Sequence, residues 1–267
     1  MFAVPLTLVL ILAMLLPHLP GRYDASAATL SFVTQVASYA SLLLAPVGVA
    51  WVVSRRRARL WYRFALVISG FIAFASAVAA VAVNNLAFGV ILGLLIVLGI
   101  QATYRRTLAN LDRGDGVGPA FPVTLVCVPL VLVGFIAVAM PRAAAWSRDR
   151  AIQHSAALIA EIEAFQQRRG HYPLSLQSLN RDVPTGVVGI ERFQYEPNGE
   201  GYNLFFVRPT VSLDAQEVVM FNRRGEHRFT SHELDILQFD GEQLDRRRGD
   251  RRRTTLGQAH WVSIIFE

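Results

Sequence analysis

The sequence predicts a membrane all-α bundle of about five transmembrane helices in residues 1–145, followed by an α+β domain in residues 146–267. The first 140 residues consist mainly of apolar runs, and their charged residues are confined to the breaks between these runs. A helix rises about 1.5 Å per residue, so about 20 apolar residues are enough to cross a bilayer. After Met140, apolar and polar residues instead alternate at helix and then at strand spacing, which is typical of a water-soluble domain.

Five stretches without a charged side chain (Asp, Glu, Lys, Arg) or a histidine mark the predicted transmembrane spans: residues 2–17, 33–53, 64–83, 87–103 and 121–140. The first is the shortest, and it is either a retained helix or a secretory signal with a cleavage site near Ala25-Ser26-Ala27. We favour the retained helix because no basic residue precedes Arg22, whereas a secretory signal begins with positive charge. The third and fourth stretches are so close in sequence that they predict a tight helical hairpin.

The positions of the arginines predict the orientation of these spans. Eight arginines lie in two connections: Arg55, Arg56, Arg57, Arg59 and Arg63 after the second span, and Arg105, Arg106 and Arg113 after the fourth. Because short arginine-rich loops stay in the cytoplasm, the N-terminus is predicted to be cytoplasmic and residues 146–267 periplasmic. All 26 basic residues are arginine, a bias that favours a bacterial origin and hence the bacterial inner (plasma) membrane. The lipid bilayer is therefore the first predicted partner.

The net charge of +6 does not indicate a nucleic-acid-binding protein, because the excess lies in the predicted membrane region. Residues 1–147 hold ten Arg and three Asp, whereas residues 148–267 hold sixteen Arg and seventeen acidic residues. The positive charge thus belongs to loops that contact anionic lipid headgroups. Cys127 is the only cysteine, so the sequence excludes both a disulfide within the chain and a multi-cysteine metal site.

Residues 146–169 predict an amphipathic helix. Apolar residues recur there at helical spacing, at Ile152, Leu158, Ile159, Ile162 and Phe165. Gly170 can adopt the left-handed conformation that ends a helix, and Pro173 favours an extended chain immediately before it. The short segment that follows is predicted to contribute three leucines to the core: Leu174, Leu176 and Leu179.

The rest of the domain predicts a small antiparallel sheet. A β-hairpin is predicted over residues 193–206, where apolar residues alternate with polar ones on both sides of a turn at residues 197–201. Further strands are predicted around residues 218–221 and 261–266. Six arginines in residues 246–253 are interpreted as a solvated loop neutralised by acidic neighbours, and contact with anionic lipid or a partner is the alternative.

Two motifs in this domain carry a resemblance to a known family. Gly170-His171-Tyr172-Pro173 ends the amphipathic helix, and Gly201-Tyr202 opens the second strand of the hairpin. With the leucine segment between them, they resemble the globular head of type IV pilins and type II secretion pseudopilins over roughly residues 146–225. The resemblance implies a pilin-like head outside the cytoplasm, with these structural motif residues: Gly170, Tyr172, Pro173, Gly201 and Tyr202.

The chain departs from the pilin pattern in the membrane region. A pilin begins after a Gly at which the prepilin peptidase cuts, and it carries a Glu as its fifth residue. The corresponding positions here hold Ala120 and Leu125, and four predicted spans precede them. We therefore expect that the chain is not processed as a prepilin. Pro141 is expected to interrupt the helix between the last span and the head.

No catalytic or cofactor-binding motif is recognisable, so the sequence predicts neither an enzyme nor a bound cofactor. The weak candidates for metal ligands are His227, His232, Asp240, Glu242 and Asp245. Their spacing matches neither a zinc pattern nor a calcium loop, so surface histidines and a solvated acidic loop are the favoured interpretation.

The sequence thus predicts a non-catalytic inner-membrane protein that binds an envelope protein partner, senses the periplasm or serves as a scaffold. The predicted spans hold no Asp, Glu, Lys, Arg or His, which argues against a transporter. Two alternatives stay open: a component of a type II secretion or type IV pilus-like assembly, and a metal- or ligand-responsive membrane protein.

Overall fold

The computed structural model describes residues 3–82, 107, 120–179, 183–198, 201–209, 216–225, 227 and 251–266. The chain divides into two compact units. The N-terminal unit consists of Met1–Leu16 and Ser26–Ala144, and the head unit consists of Pro17–Ala25 and Ala145–Glu267. Residues Pro17–Ala25, called the connector below, therefore belong to the head, although in sequence they join two helices of the N-terminal unit.

The described residues form five α-helices: α1 Ala3–Leu15, α2 Ala25–Ser41, α3 Leu44–Val53, α4 Ala58–Ala82 and α5 Ala120–Arg169. Three helical stretches are long and apolar enough to cross a membrane: Ala25–Val53, Arg55–Val81 and Ala120–Arg169. The predicted count of about five spans is therefore not reached in the described part of the chain. The predicted span 2–17 forms a shorter apolar stretch, and the predicted span 87–103 with its hairpin lies outside the described residues.

The predicted span 33–53 is interrupted, because it contains the end of α2 and all of α3. Between the two helices, the N–H groups of Leu42 and Leu43 bond to carbonyls three residues earlier, at 3.1 and 3.2 Å, which tightens the chain into a turn. Pro46 has no N–H to continue the helical ladder across this point. It lies in the first turn of α3, where a helix has no intrahelical acceptor for that donor.

Helix α5 is continuous through Pro141, so the expected interruption is wrong. Its 50 residues join the predicted span 121–140 to the predicted head helix. Pro141 removes one helical hydrogen bond, and the guanidinium of Arg142 donates to the neighbouring carbonyl of Val138 at 2.6 Å. Buried residues on both sides, such as Met140 and Ala151, hold the helix in place. Their burial outweighs the roughly 3 kcal/mol that an interior proline costs.

The N-terminal unit packs through aromatic rings and a glycine. The ring of Trp51 on α3 lies 6.3 Å from Tyr62 on α4 and 5.5 Å from Phe121 on α5, measured between centroids. Gly48 on α3 approaches α5 so closely that an added Cβ would lie 2.7 Å from the carbonyl oxygen of Pro122. Helix α3 is therefore seated against α5 by close backbone approach as well as by aromatic contact.

The described residues of the head form a five-stranded antiparallel sheet with the order β1-β2-β3-β5-β4. Its strands are β1 Gln194–Asn198, β2 Gly201–Pro209, β3 Gln216–Phe221, β4 Arg251–Thr255 and β5 Trp261–Phe266. The predicted hairpin is confirmed, with Asn198 opposite Gly201. Strand β4 corrects the predicted solvated loop at residues 251–253, because they pair with β5, whereas residues 246–250 lie outside the described residues. The Arg253 side chain stays exposed, so pairing of the backbone does not bury its charge.

One face of the sheet packs against the second half of α5. Leu158 and Ile162 of the helix share a core with alternate residues of β2 and β3, such as Leu204, Phe206 and Val219. The α+β arrangement that the sequence predicts for the head is thus present. The period of two along β2 continues to Arg208, which therefore also faces the helix side of the sheet.

The leucine segment contributes less to the core than the sequence suggests. Residues Leu176–Leu179 form one turn of 3-10 helix, and Leu179 is buried while Leu176 is partly buried against the core. Leu174 is 82% exposed, so its predicted core position is wrong. A single short turn presents only one side to the core, and Leu174 precedes that turn.

The connector pairs with the segment at residues 186–190 of the head. Four backbone hydrogen bonds join them: Gly21 N–H to Gly186 O (3.1 Å), Asp24 N–H to Val188 O (3.0 Å), Val188 N–H to Leu19 O (3.0 Å) and Gly189 N–H to Pro17 O (2.7 Å). Pro20 and Val187 form a bridge of antiparallel type. The connector therefore adds a strand-like layer to the head, which periodicity in the sequence does not indicate.

Candidate functional site

The motif residues meet at one cleft of the head, called the motif cleft below. Its volume is about 610 Å³. It is lined by the end of α5, the start of β2 and the turn after β3: Gln166, Gly170, His171, Tyr172, Gly201, Tyr202, Asn222, Arg223 and Arg224. The remaining motif residue, Pro173, is buried, and its carbonyl accepts a hydrogen bond from the Tyr195 hydroxyl at 2.8 Å. The two motifs are 30 residues apart in sequence and meet in space.

Gly170 turns the chain into this cleft. Its φ of 77° is the left-handed conformation that the sequence predicts for the helix end, and its N–H bonds to the carbonyl of Gln166 at 2.8 Å. The turn places the ring of Tyr172 5.1 Å from that of Tyr202, and Tyr195 stacks on Tyr202 at 5.5 Å. Three tyrosines from different elements thus form one aromatic wall.

Glu163 connects the aromatic wall to the arginines of the cleft. Its carboxylate accepts a hydrogen bond from the Tyr202 hydroxyl at 3.1 Å and forms an ion pair with Arg223. Burial and the neighbouring Glu163 carboxylate raise the pKa of Tyr202, so its hydroxyl remains a donor at any physiological pH. The Arg223 side chain is 62% exposed, which leaves guanidinium donors facing the cleft mouth.

The turn that carries the two arginines is fixed by Asn222. Its side-chain amide donates to Asn203 Oδ1 at 2.8 Å, and its Oδ1 accepts the N–H of Arg224 at 2.9 Å. Gly225 has a φ of 76°, and its N–H bonds to the Asn222 carbonyl at 3.0 Å. The position of Arg224 is therefore held by a buried amide as well as by the sheet.

The chemistry of the motif cleft suits an anionic group next to an apolar or planar one. Arg223 and Arg224 lie in the lining, and the last turn of α5, which ends at the cleft, carries Arg168 and Arg169. Guanidinium groups bind carboxylates with directed hydrogen bonds, and the partly exposed ring of Tyr172 supplies flat apolar surface, whereas Tyr202 behind it is only 2% exposed.

A second group of polar residues lies at the opposite end of β2, beneath the connector. The Nδ1 atom of His18 lies 3.0 Å from the Ser147 hydroxyl on α5. Arg208 is 6% exposed and pairs with Glu217 of β3 at 3.3 Å, and the Ser263 hydroxyl of β5 donates to Glu217 at 2.8 Å. This polar cluster is built by the connector, the helix and three strands.

Burial determines the charge states in this polar cluster. Desolvation, assisted by the neighbouring Arg208 guanidinium, lowers the pKa of His18 to about 4, so the ring is neutral at pH 7. His18 follows the predicted span 2–17 and belongs to the head unit. Burial also lowers the pKa of Arg208, while the Glu217 carboxylate opposes that effect and satisfies the charge.

Of the five metal-ligand candidates, only His227 belongs to the described residues, and His232, Asp240, Glu242 and Asp245 lie outside them. The described part of the chain contains no group of three or more side chains placed to hold a metal ion. The His227 Nε2 lies 2.9 Å from the carbonyl of His260, and its Nδ1 lies 3.1 Å from Arg253 Nη2. With the proton on Nε2, the ring donates to the His260 carbonyl, and Nδ1 accepts from Arg253.

Sequence reasoning named the motif glycines and tyrosines as structural residues but predicted no cleft, and it missed Glu163, Arg223 and the polar cluster as site residues. The alternation of side chains along β2 could have placed Arg208 on the buried face. Arg208 continues the inward-facing series Tyr202, Leu204 and Phe206. No local signal places His18 against Ser147, since the two residues are 129 positions apart.

The geometry of the motif cleft and of the polar cluster is the basis for a proposed function. No protein-family model, no curated protein and no solved structure matches this chain.

Proposed function

We propose that this protein is a non-catalytic, membrane-anchored binding protein of the bacterial envelope. Its pilin-like head lies in the periplasm and takes an acidic segment of an envelope protein partner in the motif cleft. The observation that carries the proposal is the convergence of two arginines and an aromatic wall on a single cleft. Binding needs no other chemistry than the charge-assisted hydrogen bonds these arginines supply.

The membrane anchor is supported by the three apolar helical stretches, which are long enough to span a bilayer. The orientation is supported by Arg55–Arg57, an exposed turn between α3 and α4 that carries three positive charges. Such a turn is retained on the cytoplasmic side. The head is supported as a separate binding module by its own compact core of helix and sheet.

The binding test uses the full-length protein in lipid nanodiscs and a fluorescent peptide that alternates Glu with Phe. We expect saturable binding that weakens with added salt, and no binding of the same peptide with Gln in place of Glu. Arg224→Gln should weaken binding by about 10-fold or more, since a charged hydrogen bond contributes roughly 1.5–3 kcal/mol. The matched control is Arg192→Gln, which removes an exposed arginine that does not line the cleft. Equal weakening by both substitutions would refute a cleft-specific site.

The continuity of α5 favours a second candidate, a component of a type II secretion or type IV pilus-like assembly. One unbroken helix that is apolar at its start and amphipathic within the head suits a subunit of a helical assembly. Ala120 and Leu125 still predict that the chain is not processed. The test is an immunoblot of a C-terminally tagged protein with and without the prepilin peptidase. A peptidase-dependent fragment of about 16 kDa, as expected for residues 121–267 from average residue masses, would support the assembly role.

A further inference from the structure

We propose that the connector is an acid-released latch, docked on the head while His18 is neutral and released when His18 takes up a proton. The proposal concerns the polar cluster beneath the connector and does not depend on what the motif cleft binds. Its physical basis is that the docked connector exposes its largest apolar side chains and partly buries one titratable ring.

The connector is held mainly by its backbone. Leu19 and Tyr23 are exposed although they are its largest apolar side chains, and Pro17 is its buried side chain. The four backbone bonds to residues 186–190 exchange for bonds to water on release, so each contributes little net free energy. A penalty on His18 alone is therefore large relative to the docking free energy.

The surroundings of His18 disfavour a positive charge. Ser147 on α5 contacts its ring, and Arg208 on β2 is the charged group that acts on it electrostatically. Glu217 on β3 is engaged by Arg208 and by the Ser263 hydroxyl. Arg148 and Asp149 on α5 bond to each other at 3.1 Å and also act on Arg208. No described carboxylate bonds to His18 itself, so the positive charge of a protonated ring has no anionic partner there.

The sign of the pH dependence follows from the two states of the ring. Docked, His18 has a pKa of about 4, because burial and then Arg208 lower it. Released into water, it regains an ordinary pKa of about 6.5. The released connector thus binds the proton more tightly, so docking is strongest above about pH 6.5 and weakens as the pH falls toward 4. With these two pKa values, the equilibrium constant for docking falls on the order of 30-fold between pH 7.5 and pH 5.

Four other titratable groups near the connector are exposed: His154, Tyr23, Asp24 and Glu191. The ring of His154 packs over Gly186, and Arg150 donates to the Gly186 carbonyl at 3.4 Å. Partial burial, and then the neighbouring Glu191 and Asp24 carboxylates, raise the pKa of Tyr23 away from the acid range. His154→Gln is therefore the matched control for a second histidine that touches the same segment.

The test is hydrogen exchange of the full-length protein in nanodiscs, with rates corrected for the intrinsic pH dependence of exchange. Protection of the Gly21 and Asp24 amides should fall on the order of 30-fold between pH 7.5 and pH 5. The amides of β2 and β3 should keep their protection, which separates release of the connector from unfolding of the head. Constant protection of the connector amides, or equal loss in the sheet, would overturn the proposal.

Two variants assign the effect to the ring. His18→Asn keeps a polar group near the Nδ1 position but cannot take up a proton, so its connector protection should not change with pH. Ser147→Ala removes the hydrogen bond, so it should lower protection at every pH and keep the wild-type dependence. Wild-type pH dependence in His18→Asn, or its loss in His154→Gln, contradicts the proposal. If the connector of His18→Asn is already released at pH 7.5, the pH profile of Ser147→Ala decides instead. Connector protection in Ser147→Ala that does not change with pH would also contradict the proposal.

Discussion

At the scale of single residues, glycine decides how closely the connector can approach the head. A Cβ at Gly189 would lie 2.7 Å from both the Cβ and the carbonyl oxygen of Pro17, and one at Gly21 would lie 2.8 Å from the Val188 side chain. Neither clash can be relieved by rotating the end of a flexible side chain. Docking therefore requires small residues on both sides of the contact, Gly21 in the connector and Gly189 in the head.

We expect Gly189→Ala to displace the connector, because the added methyl group meets backbone atoms of Pro17. The penalty should be about 1–3 kcal/mol, the usual range for overpacking. The measurement is hydrogen exchange of the Gly21 amide at pH 7.5, which should become faster. The matched control is Gly257→Ala, since a Cβ there has no atom within 4 Å and its backbone is not left-handed. Unchanged exchange in Gly189→Ala would contradict the close approach.

We expect Arg208→Met to destabilise the head more than the double substitution Arg208→Met with Glu217→Leu. The single change leaves a poorly exposed carboxylate without its cation, which typically costs about 3–5 kcal/mol. Replacing both partners removes the charge as well as the pair, so much of this loss should be recovered. Thermal unfolding of the purified protein measures both. A double variant no more stable than the single one would show that the pair itself, rather than its desolvated charge, determines the loss.

At the scale of elements, the 3-10 turn Leu176–Leu179 shows that leucines close together in sequence can differ in burial. Leu174 and Leu179 are five positions apart and look alike in sequence, but only Leu179 is buried. The choice depends on the direction in which the chain leaves Pro173, and that direction is set by the buried ring of Pro173 and by the Tyr195 bond to its carbonyl.

We expect Leu179→Ala to lower the free energy of unfolding by about 2–3 kcal/mol, the lower part of the range for a buried leucine. Leu174→Ala should change it by less than about 0.5 kcal/mol, because its side chain already lies in water. Chemical denaturation of the two variants in detergent gives the comparison directly. Similar losses from both substitutions would mean that Leu174 is buried in the assembled protein.

Helix α5 illustrates the opposite case, in which a strong local signal is overridden. Pro141 predicts a helix end, and it lies in the interior of a 50-residue helix. Proline removes one hydrogen bond at one point, whereas buried side chains on both sides extend over many turns. Packing therefore decides the continuity of this element, and local propensity does not.

At the scale of the whole molecule, arginine in the connections predicts which side of the membrane each segment occupies. A periplasm-active reporter fused after residue 145 should be active, and one fused after residue 103 should be inactive, because arginine-rich loops resist transfer across the membrane. Replacing Arg55, Arg56 and Arg57 by Gln should lower the contrast between the two fusions. Arg22→Gln serves as the control, because both fusions contain Arg22 and it lies in the predicted periplasmic connection. Reversed activities would place the head in the cytoplasm and remove the proposed envelope partner.

The sequence by itself determined the features that depend on composition and on short periods. The apolar stretches, the amphipathic helix, the left-handed Gly170, the hairpin and the terminal strand all follow from residues within about 20 positions of each other. These features are local because backbone hydrogen bonds in helices and hairpins join residues that are close in the chain.

Only the tertiary structure decided which distant residues share a site. The motif cleft unites Gly170 with Arg224, and the polar cluster unites His18 with Ser147 and Arg208. It also decided that arginines of β4 form a strand, because that strand requires β5 as its partner. Such contacts depend on which surfaces are removed from water together, and periodicity in a sequence marks the buried face of one element without naming the element that covers it.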